Sequence, residues 1–140
     1  MRQILLFALL AASLALLSGC ALSRAKADTA EDMTDKAAYQ KISAEEAYEM
    51  MASQEVVVVD VRTREEYDGG HIENAVLVPN ENIGSEMPEA LPDKEATLLI
   101  YCRSGRRSKD AAEKLLSLGY QSVYDFGGVI DWPYELVKEG

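Results

Sequence analysis

Cysteine is nearly absent from this 140-residue chain, which has only Cys20 and Cys102. The first lies at the end of an amino-terminal stretch with the marks of an export signal, so the rest of the chain holds a single thiol. No internal disulfide can close, and no second cysteine can resolve an intermediate formed on Cys102. Histidine occurs once, as His71, and no metal or cofactor is expected. Basic residues are few: 14 Lys and Arg stand against 24 Asp and Glu, a formal charge of −10. That imbalance argues against nucleic acid as a partner. It suits a solvated domain that stays off anionic lipid headgroups. There is no internal repeat, and the longest apolar run, Ile4 to Leu17, is too short to be a comfortable membrane span. The length leaves room for one domain.

The most informative stretch present is Thr97-Leu98-Leu99-Ile100-Tyr101-Cys102-Arg103-Ser104-Gly105-Arg106-Arg107-Ser108. Its apolar half does not alternate, as expected of a strand covered on both faces. From Ser108 to Leu118, apolar residues at Ala111, Ala112, Leu115 and Leu118 follow a helical period, and Gly119 stands where a helix ends. Cys102 therefore sits between the carboxyl end of a buried strand and the amino end of a helix. Unpaired N–H groups and the positive end of the helix dipole favour thiolate over thiol there. A purely structural cysteine would not be followed by Arg103, Arg106 and Arg107, which need solvent or anions beside them. Cys102 is thus the candidate nucleophile.

Around it the chain alternates strands with helices. Tyr39 to Ile42 is expected as a short edge strand. Ser43 and Glu46 form a capping box for a helix running to about Ser53. Val56 to Val59 is expected as a buried strand with Asp60 at its carboxyl end, Thr63 to Asp68 as a short helical turn, and Ala75 to Val78 as a second buried strand. A helix is expected from Ile83 to Leu91, a last strand from Ser122 to Asp125, and a terminal helix from Asp131 onward. Such alternation argues for an α/β fold whose mostly parallel central sheet of about five strands has helices on both faces. Ligands bind such sheets outside the carboxyl ends of the strands, which brings Asp60, Arg62 and Cys102 to one rim.

Three blocks carry a family resemblance: Asp60-Val61-Arg62 with Glu65-Glu66-Tyr67 and Gly70-His71-Ile72-Glu73-Asn74-Ala75; the loop from Cys102; and Phe126-Gly127-Gly128-Val129-Ile130-Asp131-Trp132. Together they resemble the rhodanese family of sulfurtransferases over about residues 39 to 137. The resemblance implies a rhodanese-like fold and a persulfide carried on Cys102. It also implies a substrate-binding loop of Arg103, Ser104, Gly105, Arg106 and Arg107, with Asp60 and Arg62 in a supporting role. His71 falls in a Gly-His-Ile turn that packs rather than acting as a base, and Tyr67 and Trp132 are expected in the core. The implied reaction moves sulfane sulfur from a small anionic donor such as thiosulfate to a thiol or cyanide-like acceptor, with the protein a monomer.

The amino terminus carries a second resemblance. Leu17-Ser18-Gly19-Cys20 is similar to the bacterial lipobox, which implies a signal peptide at 1–19 and a lipid on Cys20. A flexible tether would follow over 20–38, and a domain over 39–140 outside the cytoplasm. Without its signal the chain has 13 basic and 24 acidic residues, a charge of −11. Two or three acyl chains hold a membrane firmly, since each buried methylene adds about 0.8 kcal/mol. The tether, behaving as a coil, would reach about 25 Å.

The main rival chemistry is phosphatase or arsenate reductase, which on this fold uses a cysteine and an arginine spaced C-x5-R. Here the sixth step from Cys102 reaches Ser108, and Arg107 lies one position early. An oxyanion needs donors on three equatorial oxygens, so the shorter loop favours sulfur over phosphate. A non-catalytic sulfur-carrier or binding module is a further alternative, although such members commonly lack the cysteine retained here.

Overall fold

The computed structural model describes residues 37–138. The expected signal peptide, Cys20 and nearly all of the tether lie outside the described residues. Five parallel strands form one sheet: β1 (Gln40–Lys41), β2 (Val57–Asp60), β3 (Val76–Leu77), β4 (Thr97–Cys102) and β5 (Ser122–Gly128), in the spatial order β1-β5-β4-β2-β3. Three α-helices among the described residues accompany them: α1 (Ala44–Ser53), α2 (Arg64–Asp68) and α3 (Arg106–Ser117). The fold is α/β with a parallel central sheet of five strands, as expected.

Side-chain alternation along β4 divides the core. Leu98, Ile100 and Cys102 face α3 and pack with Ala111, Ala112 and Leu115, whereas Leu99 and Tyr101 face α1 and α2 and pack with Ala47, Tyr67 and Phe126. β4 lies at the sheet centre with β2 and β5 on its flanks, which explains why its run of apolar residues does not alternate.

Both amino-terminal helices begin as local chemistry dictates. Ser43 Oγ accepts from Glu46 N at 3.1 Å while Ser43 N donates to Glu46 Oε2 at 2.8 Å. Thr63 and Glu66 repeat the arrangement at the head of α2. Such caps contribute about 1 kcal/mol each.

Two expected helices do not form. Between β3 and β4 the chain makes only a 3-10 turn (Asn80–Asn82), and residues 83–96 are irregular. Ile83 and Leu91 are both buried in the α3-side core, so they act as separate anchors of a loop. Pro88 and Pro92 remove N–H donors that a helix would need. At the carboxyl end a 3-10 turn (Val129–Asp131) stops before Pro133, and the chain runs back beside the 70s loop. There Val137 exchanges backbone hydrogen bonds with His71, at 2.8 and 2.9 Å.

Candidate active site

The cysteine loop joins β4 to α3. β4 and β5 pair in register up to Ile100 and Asp125, and then the register shifts so that Cys102 stands opposite Gly128. Two residues on one strand thus span three on the other, a bulge that redirects the chain where the loop begins. Gly128 packs directly under it: a Cβ there would stand 2.6 Å from Ser104 Cα and closer still to Arg103 O. Gly105 caps α3 with φ 97°, a left-handed conformation costly for any other residue. That twist turns its N–H inward to Cys102 Sγ at 3.0 Å.

Cys102 is 1% exposed, and its sulfur is ringed by donors. Burial pushes the thiol up. The backbone N–H and hydroxyl of Ser108, together with the N–H groups of Gly105 and Ser104, outweigh burial and hold it below its ordinary value. Ser108 Oγ lies 3.6 Å from the sulfur, 3.0 Å from Gly105 O and 3.3 Å from Gly127 O. Its single proton can turn from a carbonyl toward the sulfur when the sulfur carries charge. The arrangement suits a nucleophile whose negative charge is stabilised by neutral donors.

The three loop arginines fall into two groups. Arg103 and Arg106 are exposed, with no partner for their side chains among the described residues. Arg107 is half-buried and grips Glu66 through Nη1–Oε2 and Nη2–Oε1 hydrogen bonds of 2.7 and 2.8 Å. Arg107 thus has a carboxylate partner within the domain, unlike Arg103 and Arg106. Its hydrogen bonds hold the Glu66 carboxyl down at about 2, and Arg107 in turn is raised by Glu66 and, more weakly, by the nearby Cys102 charge. Ser104, also placed in the loop by sequence, is exposed at its tip.

Asp60 and Arg62 form a buried pair on the other face of the sheet. Arg62 donates to Asp60 through Nε at 3.0 Å and Nη2 at 2.6 Å, and to Gly70 O at 2.8 Å. Tyr101 OH donates to Asp60 Oδ2 at 2.7 Å, and burial together with that carboxylate pushes the phenol pKa up. The pair shares the rim with the cysteine, but alternation along β4 sends Tyr101 and Cys102 to opposite faces. Their contacts lock the 70s loop rather than the sulfur site. His71 is buried and stacked 3.6 Å from the Tyr67 ring, with Nδ1 donating to Tyr67 O at 2.9 Å. Tyr67 is in the core and Trp132 packs against Phe126.

Sequence reasoning did not single out four contributors to the site. As sequence, Ser108 reads as a helix start and a spacing position, and Glu66 and Gly128 as members of motif blocks, with no contact to the cysteine loop expected of any of them. Asp125 is the fourth: buried in β5, it accepts from Tyr39 OH at 2.6 Å and from Gly127 N at 2.9 Å and so pins the bulge. Among the described residues no group of three or more His, Cys, Asp or Glu is placed to hold a metal ion.

Residues 43–133 match the family model described as a Rhodanese-like domain. Curated relatives include a tRNA uridine(34) hydroxylase of Hamiltonella defensa subsp. Acyrthosiphon pisum (strain 5AT), 35% identical over 116 residues, covering 78% of this chain and 33% of that protein. The protein of the same name from Yersinia pestis (strain Pestoides F) is 31% identical over 104 residues, 71% of this chain and 29% of that one. The chain thus spans about a third of the length of these curated relatives. Among solved structures, a rhodanese with anions from E. coli aligns with a TM-score of 0.54 at 35% identity, covering 59% of this chain and 98% of that one. The human single-domain sulfurtransferase TSTD1 aligns with a TM-score of 0.60 at 28% identity, covering 66% of this chain and 93% of that one. With the matched model spanning well over half of its residues, and the cysteine loop inside the match, the chain belongs to the rhodanese family.

Proposed function

We propose that this protein is a sulfurtransferase that carries sulfane sulfur as a persulfide on Cys102. The observation that carries the reading is the ring of neutral donors around Sγ, with Gly105 N at 3.0 Å and Ser108 Oγ at 3.6 Å. In the first half-reaction the Cys102 thiolate attacks the outer sulfur of a donor such as thiosulfate. A new S–S bond forms, the donor's S–S bond breaks, and sulfite leaves with the electron pair. In the second, cyanide or a thiolate attacks the outer sulfur and departs as thiocyanate or a persulfide, returning Cys102 to thiolate. Electrons balance without an external oxidant, and the absence of a second cysteine in the domain makes the acceptor an outside molecule. Alignment with a single-domain sulfurtransferase over 93% of its length supports the reading. The hydroxylase name of the curated relatives belongs to proteins of which this chain covers only about a third, and this acidic chain offers little to attract RNA.

Phosphate and arsenate chemistry fit less well. Arg107 lies at the fifth position after Cys102 and is held by Glu66, so it does not complete a cradle for three equatorial oxygens. Cys20 is read as a lipid attachment point and the domain as working outside the cytoplasm, tethered to the cell envelope; the support is the lipobox-like Leu17-Ser18-Gly19-Cys20.

The test is intact-protein mass spectrometry after exposure to thiosulfate. One added sulfur on Cys102, discharged by cyanide and absent in Cys102→Ser, is expected. Turnover of thiosulfate by Cys102→Ser above the uncatalysed rate, or cleavage of an aryl phosphate by the wild type at a comparable rate, would overturn the assignment.

A further inference from the structure

We infer that Lys41, in the edge strand β1 and 61 residues before the cysteine, is a specificity-determining residue that draws anionic donors to the Cys102 loop. Its ammonium lies 3.9 Å from the point where a Cβ on Gly105 would stand, against the same residue whose N–H bonds the cysteine sulfur. Gly105 has no side chain to intervene, and its neighbour across the loop, Gly127, has none either. The cation therefore reaches the backbone of the loop itself.

The fold brings Lys41 there by register. β1 pairs with β5 so that Gln40 faces Tyr124 and Lys41 faces Asp125, two residues short of the bulge that supports the loop. Tyr39, two residues earlier and therefore on the same face, packs against the α3-side core and lies under Lys109 of the first turns of α3. Lys41 thus shares the side of the sheet onto which the amino end of α3 opens.

The charge of Lys41 is uncommitted. It makes no hydrogen bond or ion pair among the described residues, unlike Lys109, Lys114 and Arg107, which are paired with Glu113, Asp110 and Glu66. The acid opposite it in register, Asp125, has its carboxylate occupied by Tyr39 and Gly127 N. With Arg107 paired to Glu66, the unpaired cations at the loop among the described residues are Lys41, Arg103 and Arg106. Only Lys41 stands on a strand rather than on the loop or its helix. The backbone of Lys41 is placed by the pairing of β1 with β5 and not by the loop's own course.

The inference rests on the sulfur-transfer reading only for the identity of the anion. Its test therefore avoids turnover. Cys102 is alkylated with iodoacetate and with iodoacetamide, which present the same leaving group with and without a negative charge. Lys41→Ala should lower the iodoacetate-to-iodoacetamide rate ratio about threefold to tenfold at low salt, leaving the iodoacetamide rate nearly unchanged. Lys41→Arg should restore the ratio, and about 1 M salt should erase the difference between wild type and Lys41→Ala. A ratio indifferent to Lys41→Ala overturns the inference, even if the protein proves an active sulfurtransferase. If neither reagent reaches the sulfur, thiosulfate binding to Cys102→Ser, followed through the Gly105 amide resonance, takes its place. Equal affinity with and without the Lys41→Ala change overturns it there.

Discussion

Glu66 and Arg107 face each other in a two-bond carboxylate–guanidinium pair that ties α2 to the first turn of α3 across 41 residues of sequence. Glu66 also closes the capping box of α2 by accepting from Thr63 N at 3.1 Å. One carboxylate therefore holds both the helix start and the cysteine loop's outgoing helix.

Glu66→Gln should cost about 1 to 2 kcal/mol at neutral pH, since the pair is largely shielded. The carboxyl's value in the folded state is about 2, against an ordinary 4.5, so the folded protein binds its proton more weakly than the unfolded chain. The stabilisation is complete above 4.5 and is lost as pH falls toward 2. Urea titrations at pH 7 and pH 2 should show the wild-type advantage shrinking at the acid end. A constant difference would mean that the ion pair is not its source.

Ser108→Ala should raise the Cys102 thiol toward its ordinary value of 9.0, because it removes a hydroxyl donor while leaving the backbone donors in place. Iodoacetamide reactivity of the wild type should persist to lower pH than for a free thiol, and the variant's profile should move up the pH axis. Identical profiles would assign the depressed value to the backbone alone.

Gly128→Ala should distort the loop, since the added methyl meets the backbone of Arg103 and Ser104, which cannot swing aside as a side chain could. A loss of about 1 to 3 kcal/mol in stability is expected, with a larger fall in Cys102 reactivity than stability alone explains. Gly84→Ala, where a Cβ meets nothing within 4 Å, serves as the control.

Cys20→Ala should abolish lipid modification and release the protein from membranes, with sulfur transfer in vitro unchanged. Fractionation with mass spectrometry of the amino terminus checks it. A soluble wild-type protein retaining Met1 would refute the lipid anchor.

Much of the fold was legible because it is locally encoded. The Ser43–Glu46 and Thr63–Glu66 boxes start helices from side chains three residues apart, and the apolar runs that hold Val58 and Val59 and Leu98 to Ile100 are buried, as such runs require. The cysteine between a buried strand and a helix was likewise a local pattern. The two missing helices show the limit. The segment from Ile83 to Leu91 reads as a helix, yet the two residues are separate anchors of a loop on one core, and Pro88, Pro92 and Pro133 deny the backbone the donors a helix requires.

What local pattern did not carry is which charges remain free. Arg103, Arg106 and Arg107 are equivalent as sequence, but α2 brings Glu66 against only one of them, and the register of β1 on β5 sets Lys41 beside Gly105. The residue types and their spacing determined the cysteine, its thiolate-favouring position and the alternation that makes the sheet. Tertiary packing alone decided the partner of each cation and the close fit of Gly128 beneath the loop. Coulombic and hydrogen-bonding forces act over a few ångströms in space, and that distance is set by strand register and helix docking rather than by separation along the chain.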